Sequence, residues 1–248
     1  MVIHRVKHYL ASLMGYSKTA PADTSASPQP DDLIAGIRSS NLTYLSEQRL
    51  GHIAKICRAI EQARLPGLFL EAGCALGGSA ILIASLKSPA RPLAIYDVFG
   101  MIPSPTEDDP PEVHARYRTI VEGESVGIGG DVYYGYEPDL YEVVKSNLSR
   151  FGIDREARSV ELVRGLLQET MHISQPVAFA HIDVDWYDPV LTCLERIFPN
   201  LVVGGSVILD DYADWGGCRK ATDEYLQQVN GQFELDQTAG SLTITRIK

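Results

Sequence analysis

Five short apolar runs alternate with segments of helical periodicity between residues 44 and 229, and they cover residues 68–71, 93–97, 160–164, 177–182 and 207–210. Runs that are short, apolar and partly β-branched are typical of strands buried on both faces of a parallel sheet. Alternation of strands with helices predicts an α/β fold with a doubly wound, Rossmann-like and mostly parallel sheet. Residues 233–236 and 242–246 flank a turn and predict an antiparallel C-terminal edge strand.

The N-terminal region and one internal stretch differ from this alternating pattern. Residues 1–18 have the pattern of a short basic amphipathic helix, and residues 19–31 are rich in Pro, Ala and Ser. We therefore expect an N-terminal arm and linker over 1–31, with the arm packing on its own domain or forming a homodimer, followed by one domain over 32–248. Prolines, glycines and acidic residues interrupt the pattern at about 100–136, which predicts an irregular, lid-like insertion.

Composition and charge exclude several classes of protein. The net charge is -10, so nonspecific binding to nucleic acid phosphates is not expected. No apolar run approaches the roughly 20 residues of a membrane span, and the N-terminus lacks the features of a signal peptide, so no stable membrane insertion is expected. The 4 cysteines form no CxxC pair, which favours reduced thiols and a cytoplasmic location.

A glycine-rich turn follows the first predicted strand. Gly73, Ala75 and Gly78 form a one-substitution variant of the dinucleotide fingerprint, and Asp97 follows about 20 residues later. An acid at the end of the second strand can accept hydrogen bonds from both hydroxyls of a ribose. Because NAD and S-adenosylmethionine both carry a ribose, this feature leaves both cofactors open.

Pairs of carboxylates follow the fourth and fifth strands. Asp183 and Asp185 follow one strand, and Asp210 and Asp211 end the other. If these strands pair, the carboxylates meet at the edge where open α/β sheets bind ligands. Oxygen ligands favour a hard divalent cation such as Mg²⁺, Mn²⁺ or Ca²⁺.

Three nearby residues receive separate interpretations. An extended chain would direct Asp185 to the same side as Asp183, where it could accept a proton from an acceptor hydroxyl. Asp188 precedes Pro189 and is predicted to cap the helix that begins there. His181 lies within an apolar strand and is interpreted as a hydrogen-bonded histidine of the core.

Several stretches resemble the macrocin-type O-methyltransferases, which include the macrolide and aminocoumarin sugar methyltransferases. The resemblance extends over about residues 44–225, and HIDVDWY and GGSVILDDY are its most specific parts. The stretches are EAGCALGG at 71–78, DVFG at 97–100, RGL at 164–166, HIDVDWY at 181–187 and GGSVILDDY at 204–212. The chain departs from the family at Asp188, Pro189 and Val190, where Glu-Ser-Thr is usual, and just after Asp97.

The resemblance implies a class I methyltransferase fold that uses S-adenosyl-L-methionine and Mg²⁺ or Mn²⁺. By motif position, Asp183, Asp210 and Asp211 would bind the metal, and Asp185 together with Asp183 would be catalytic. Asp97 would hold the cofactor ribose, and Gly165 would lie near the adenine. The methionine end of the cofactor would be framed by Glu71, Gly73, Ala75, Gly77, Gly78 and Ser79.

The leading hypothesis is therefore metal-dependent transfer of a methyl group to a hydroxyl of a small natural product, in particular a sugar hydroxyl. The same chemistry on a carboxylate, peptide or catechol acceptor is one alternative. An NAD-dependent oxidoreductase is a second, although it leaves the carboxylates without a role and the chain shows no Tyr-x-x-x-Lys pair. A non-catalytic cofactor-binding module is a third.

Overall fold

A seven-stranded mixed sheet forms the centre of the protein in a computed structural model that describes residues 29–229 and 233–248. Its strands are β1 Leu68–Ala72, β2 Leu93–Asp97, β3 Val160–Arg164, β4 Val177–Ile182, β5 Leu201–Leu209, β6 Phe233–Asp236 and β7 Leu242–Arg246. The spatial order is β3-β2-β1-β4-β5-β7-β6. Strands β1 to β5 pair in parallel, and β7 pairs antiparallel with both β5 and β6. The predicted α/β, doubly wound sheet with an antiparallel C-terminal edge is confirmed.

Helices cover both faces of the sheet. They are α1 Pro30–Ser39, α2 Glu47–Gln62, α3 Gly78–Leu86, α4 Pro111–Val121, α5 Leu140–Arg150, α6 Leu167–Thr170, α7 Tyr187–Ile197 and α8 Gly216–Gln228. Buried residues of α1, α2, α3 and α5 form a core on one face of the sheet. Buried residues of α7 and α8, with Leu167 of α6, form a second core on the other face. All six residues of β4 are buried, as expected for a strand between two helical layers.

The register of the central strands brings both carboxylate pairs to one edge. Strand β4 pairs in parallel with β5, and Ile182 lies opposite Leu209. The next residues along the two strands, Asp183 and Asp210, therefore leave the sheet side by side. The predicted pairing of the fourth and fifth strands is confirmed.

Three local features differ from the sequence-based predictions. Helix α1 begins at Pro30, within the segment predicted as linker, while residues 1–28 of the predicted arm lie outside the described residues. The predicted irregular insertion at 100–136 contains the 11-residue helix α4, which begins with Pro at its first position. Helix α7 begins at Tyr187 rather than at Pro189. Within the described ranges, no helix is both long and apolar enough to cross a membrane.

Candidate active site

A cavity of about 590 Å³ opens at the C-terminal edge of the parallel strands. Its volume is that of a typical small-molecule site, and its position is the one expected for ligands in open α/β sheets. Residues from the glycine turn, including Gly73 and Ala75, line one part of it together with Asp97 and Gly165. The four predicted carboxylates line another part, namely Asp183, Asp185, Asp210 and Asp211.

The backbone of the glycine turn bends sharply beside Asp97. Gly73 has φ +79°, and a Cβ atom there would lie 1.8 Å from the carbonyl oxygen of Asp183. Only glycine therefore allows β1 and β4 to end this close together. Ala75 also has a positive φ, of 44°. The glycine turn is thus packed directly against the end of β4, and its residues Gly73 and Ala75 line the cavity.

Asp97 ties the turn to the end of β2. Its Oδ2 accepts a hydrogen bond from Cys74 N at 2.8 Å, and its Oδ1 accepts one from Phe99 N at 2.7 Å. Gly165 N donates to the backbone oxygen of Asp97 at 3.0 Å. Burial raises the pKa of Asp97, although the two backbone donors oppose this effect. A carboxylate has about four acceptor positions, and Asp97 lines the cavity, so it can also accept from a ligand hydroxyl.

Four residues predicted to frame the cofactor do not line this cavity, namely Glu71, Gly77, Gly78 and Ser79. The amides of Gly77 and Gly78 donate to the carbonyl oxygens of Cys74 and Leu42, so neither is free for a ligand. Ser79 is buried in α3. Gly77 and Gly78 also pack against neighbouring segments, with Val144 near Gly77 and the backbone of Leu42 near Gly78. A contact of these four residues with the cofactor stays a prediction.

Glu71 forms a fully buried pair with His181. The Nδ1 atom of His181 lies 3.2 Å from Oε1 of Glu71, and neither side chain is exposed to solvent. Burial lowers the pKa of His181, but the contact with Glu71 and the nearby carboxylates outweigh it, so the pKa is raised. The interpretation of His181 as a hydrogen-bonded core residue is confirmed, and Glu71 is its partner.

The carboxylates at the ends of β4 and β5 form two overlapping groups. Asp183, Asp185 and Asp211 have oxygens within 4.8 Å of one another, and so do Asp210, Asp211 and Asp214. The predicted trio of Asp183, Asp210 and Asp211 is not gathered as one group; Asp211 belongs to both. This difference arises because Oδ2 of Asp210 turns toward an arginine.

That arginine is Arg49, from α2. Its Nη1 donates to Asp210 Oδ2 at 2.8 Å, and its Nη2 donates to Asp214 Oδ2 at 2.7 Å. The other oxygen of Asp210, Oδ1, is buried without a hydrogen-bond partner in the described structure. An orphaned anionic oxygen beside further carboxylates suits a hard cation.

Burial and mutual repulsion favour the protonated forms of these carboxylates. Burial raises the pKa of Asp183 well above its usual range, and the charge of Asp210 raises it further. The pKa of Asp211 is also raised well above its usual range by burial and by the charges of Asp185 and Asp183. Burial raises the pKa of Asp185 to about 6, against the opposing charge of Arg116. A divalent cation would stabilise the ionised forms.

Asp185 reaches the carboxylate group by a turn, not by an extended chain. Its φ is 56°, in the left-handed region, and its amide donates to Asp211 Oδ2 at 3.1 Å. The prediction that it lies near Asp183 is therefore met, but the reason given for it is wrong. The prediction that Asp188 caps a helix is wrong as well. Because α7 begins at Tyr187, Asp188 lies inside its first turn.

Further side chains line the cavity, and only some of them were indicated by the sequence. Trp186 and Trp215 were candidates for the wall of an acceptor pocket and do line the cavity, whereas Tyr44, Tyr133 and Tyr134, which also line it, were not identified. Arg116 of α4 also lines it; its guanidinium donates to Ser125 Oγ at 2.8 Å and lies 5.7 Å from the ring centre of Tyr133. Trp186 and Trp215 follow the carboxylates directly, which was the one available signal. The other side chains come from segments without a recognisable motif.

Known proteins share this fold and sequence pattern. The sequence model of the family described as Macrocin-O-methyltransferase (TylF) matches residues 35–239. The chain is 26% identical over 189 residues to mycinamicin III 3''-O-methyltransferase of Micromonospora griseorubida, covering 74% of this chain and 69% of that protein. It is 25% identical over 204 residues to demethyldecarbamoylnovobiocin O-methyltransferase of Streptomyces niveus, covering 78% and 71% of the two chains.

The solved structure of the O-methyltransferase NovP superposes with a TM-score of 0.66 at 23% identity. The match covers 84% of this chain and 83% of NovP, and it supports the fold. The family match spans most of the chain. It excludes two of the alternative functions, an NAD-dependent oxidoreductase and a non-catalytic cofactor-binding module. The chain belongs to the macrocin-O-methyltransferase (TylF) family and is an S-adenosylmethionine-dependent O-methyltransferase.

Proposed function

We propose that this protein transfers a methyl group from S-adenosylmethionine to a sugar hydroxyl of a small natural product, with the help of a divalent cation such as Mg²⁺. The observation that carries the proposal is that Asp97 and the strand-end carboxylates line one cavity. A cofactor held at Asp97 and an acceptor held at the carboxylates would therefore be neighbours. Placing two reactants side by side supplies much of the rate in a group transfer.

In the cofactor part of the site, Asp97 would accept hydrogen bonds from the ribose hydroxyls. Gly73 and Ala75 line the cavity next to Asp97 and would contact the cofactor, and Gly165 N donates to the backbone oxygen of Asp97. The cofactor supplies the methyl group as part of a sulfonium, and its C–S bond breaks as the new C–O bond forms. The products are a methyl ether and S-adenosylhomocysteine.

In the acceptor part, Asp183 and Asp211, whose oxygens lie within 4.8 Å of each other, would hold the cation. Asp210 shares a group with Asp211 but not with Asp183, so its free Oδ1 would join as a third ligand once the cation draws the side chains together. The donor set contains only oxygen atoms, and a buried oxygen among them lacks a partner. When bound, the cation would orient the acceptor hydroxyl and lower its pKa. Asp185 would then accept the hydroxyl proton, because its carboxylate lies within 4.8 Å of those of Asp183 and Asp211.

The aromatic side chains support a sugar as the acceptor. Five aromatic side chains line the cavity, and Arg116 adds hydrogen-bond donors; the aromatic residues are Tyr44, Tyr133, Tyr134, Trp186 and Trp215. Aromatic faces suit the apolar faces of a sugar ring, while the polar groups fix its orientation. A relative in Streptomyces olivaceus, 26% identical over 189 residues, is named as the 4'-O-methyltransferase of a rhamnosyl-tetracenomycin C.

A methyl-transfer assay with isotope-labelled S-adenosylmethionine tests this proposal. Glycosylated polyketides and aminocoumarins would be compared with their aglycones, and with carboxylate, peptide and catechol acceptors, in the presence of Mg²⁺ or EDTA. We expect labelled methyl ether only on the glycosylated compounds with Mg²⁺, and a loss of at least about 100-fold in Asp211→Asn. Labelling of the aglycones would overturn the sugar assignment, and full activity in EDTA would overturn the metal.

A further inference from the structure

The insertion places one buried carboxylate, that of Asp109, behind the residues that line the active site. Asp109 is 5% exposed, although it follows two exposed acidic residues, Glu107 and Asp108. Its Oδ2 accepts a hydrogen bond from Thr106 N at 3.0 Å within the insertion. Its Oδ1 accepts a hydrogen bond from the backbone N of Tyr187 at 2.8 Å, and Tyr187 is the first residue of α7.

Asp109 thereby caps α7 from a distant part of the chain. The position before this helix is Trp186, whose side chain makes no capping hydrogen bond. The first amides of a helix need acceptors, and a carboxylate at this end is further favoured by the helix dipole. Gly217, at the start of α8, packs against the same oxygen, because a Cβ atom there would lie 2.2 Å from Asp109 Oδ1.

The capped amide lies two residues after Asp185. The φ of Asp185 is 56°, and a non-glycine residue keeps such a conformation only where its surroundings hold it. On one side Asp185 N is held by Asp211 Oδ2 at 3.1 Å. On the C-terminal side of Asp185, two hydrogen bonds hold the chain. Tyr187 N donates to Asp109 Oδ1, and Trp186 Nε1 donates to the carbonyl oxygen of Pro103 at 3.0 Å.

We propose that Asp109 is a positioning residue that holds the backbone of Asp185 in its left-handed conformation. The insertion then forms part of the catalytic wall, and its attachment through Asp109 fixes the direction in which the carboxylate of Asp185 points. The effect of Asp109 on the backbone is independent of the chemistry of Asp185. Its consequence for the reaction rests on the proposed function.

Amide hydrogen exchange measured by NMR separates positioning from simple capping. In Asp109→Ala we expect faster exchange of both Tyr187 N–H and Asp185 N–H, each by at least about tenfold. Asp109→Asn keeps an oxygen for Tyr187 N, so we expect both amides to stay within about threefold of the wild-type rates. The matched control is Asp108→Ala, which removes only the exposed pair with Lys220 at 2.8 Å.

A second variant addresses the same oxygen from the other side. Gly217→Ala places a Cβ atom 2.2 Å from Asp109 Oδ1 and 2.9 Å from Tyr187 N, so it forces these two atoms apart. It is expected to expose the same two amides, even if Asp109→Ala does not fold. Its control is Gly51→Ala in α2, where nothing lies within 4 Å of the new methyl group. The chain has 2 tryptophans, Trp186 and Trp215, which lie with ring centres 5.6 Å apart beside this contact. Their fluorescence should shift to longer wavelength in Asp109→Ala and Gly217→Ala only.

The exchange of Asp185 N–H decides the outcome. If Tyr187 N–H alone exchanges faster, Asp109 is only a helix cap and the proposal is wrong. If neither amide changes, the proposal is also wrong. None of these measurements requires a metal or an acceptor, so failure of the proposed function would leave them interpretable.

Discussion

Arg49 Nη1 lies 2.8 Å from Oδ2 of Asp210, although 161 residues separate the two in the chain. The side chain of Asp210 is 4% exposed, and the side chain of Arg49 is 18% exposed. The same guanidinium also contacts Asp214, whose side chain is 49% exposed. One arginine therefore forms a buried and an exposed ion pair at the edge of the active site.

Double-mutant cycles should separate the two pairs. Arg49→Gln leaves the buried Asp210 without its partner, so we expect the free energy of unfolding to fall by about 3 kcal/mol. Adding Asp210→Asn should restore part of this loss, with a coupling energy of about 2 kcal/mol. The control cycle with Asp214→Asn should give a coupling below about 1 kcal/mol, because water screens an exposed pair. Urea denaturation gives the free energy of unfolding of the wild type, the single variants and the double variant in each cycle. Equal coupling energies in the two cycles would contradict the description of one pair as buried and the other as exposed.

Stability should depend on pH and on divalent cations together. The pKa of Asp185 is raised to about 6, whereas an aspartate in an unfolded chain titrates near about 4. The folded protein thus binds more protons than the unfolded chain between these values, so the free energy of unfolding falls as pH rises through this window. Asp185 alone should account for roughly 2 kcal/mol of the fall in the absence of cations.

Thermal unfolding at about pH 5 and about pH 7.5 would measure this effect, with EDTA or with Mg²⁺. We expect Mg²⁺ to raise the Tm more at the higher pH, where the carboxylates are ionised and repel one another. Asp185→Asn should weaken the pH dependence in EDTA but not abolish it, because the pKa values of Asp183 and Asp211 are also raised. Glu122→Gln, which alters an exposed side chain of the insertion, should leave it unchanged. A cation effect independent of pH would contradict the proposed site.

The sheet and the position of the carboxylates could be predicted because they depend on local patterns. Apolar runs mark buried strands, and the residues that follow parallel strands share one edge. The direction of Asp185 could not be predicted in this way. Its left-handed φ depends on contacts with Asp211 and, through Tyr187, with Asp109, which is 78 residues from Tyr187 in the chain.

Helix α4 and Arg49 also escaped prediction for physical reasons. Only Val113 and Ile120 of α4 are buried, so the helix carries little of the apolar periodicity that reveals amphipathic helices. Arg49 lies on α2, where the apolar positions predicted the helix but gave no indication of an acidic partner. A long-range ion pair leaves no signal in the sequence near either residue.

Gly73 and Gly123 have the same φ of +79°, so alanine substitutions at the two positions separate the cost of backbone strain from the cost of a steric clash. Gly73→Ala places a Cβ atom 1.8 Å from the carbonyl oxygen of Asp183, whereas a Cβ atom at Gly123 would meet nothing within 4 Å. Gly123→Ala should therefore cost only the strain of a left-handed alanine, about 1 kcal/mol. Gly73→Ala should cost about 3 kcal/mol or more, because β1 and β4 must move apart. Chemical denaturation of the two variants provides the comparison, and similar losses would contradict the close approach.

Asp97 should control the affinity for the cofactor through its ribose. Asp97→Ala removes the predicted ribose contact and also releases the amides of Cys74 and Phe99, so we expect the Kd for S-adenosylmethionine to rise at least about tenfold. Asp97→Asn keeps one acceptor oxygen but loses the charge, and its Kd should lie between those of the wild type and the alanine variant. Calorimetry with S-adenosylhomocysteine and its 2′-deoxy analogue separates the ribose contact from loosening of the turn. The wild type should bind the analogue more weakly than S-adenosylhomocysteine, whereas Asp97→Ala should bind the two almost equally. If Asp97→Ala kept the full preference for S-adenosylhomocysteine, Asp97 would not be the residue that contacts the ribose.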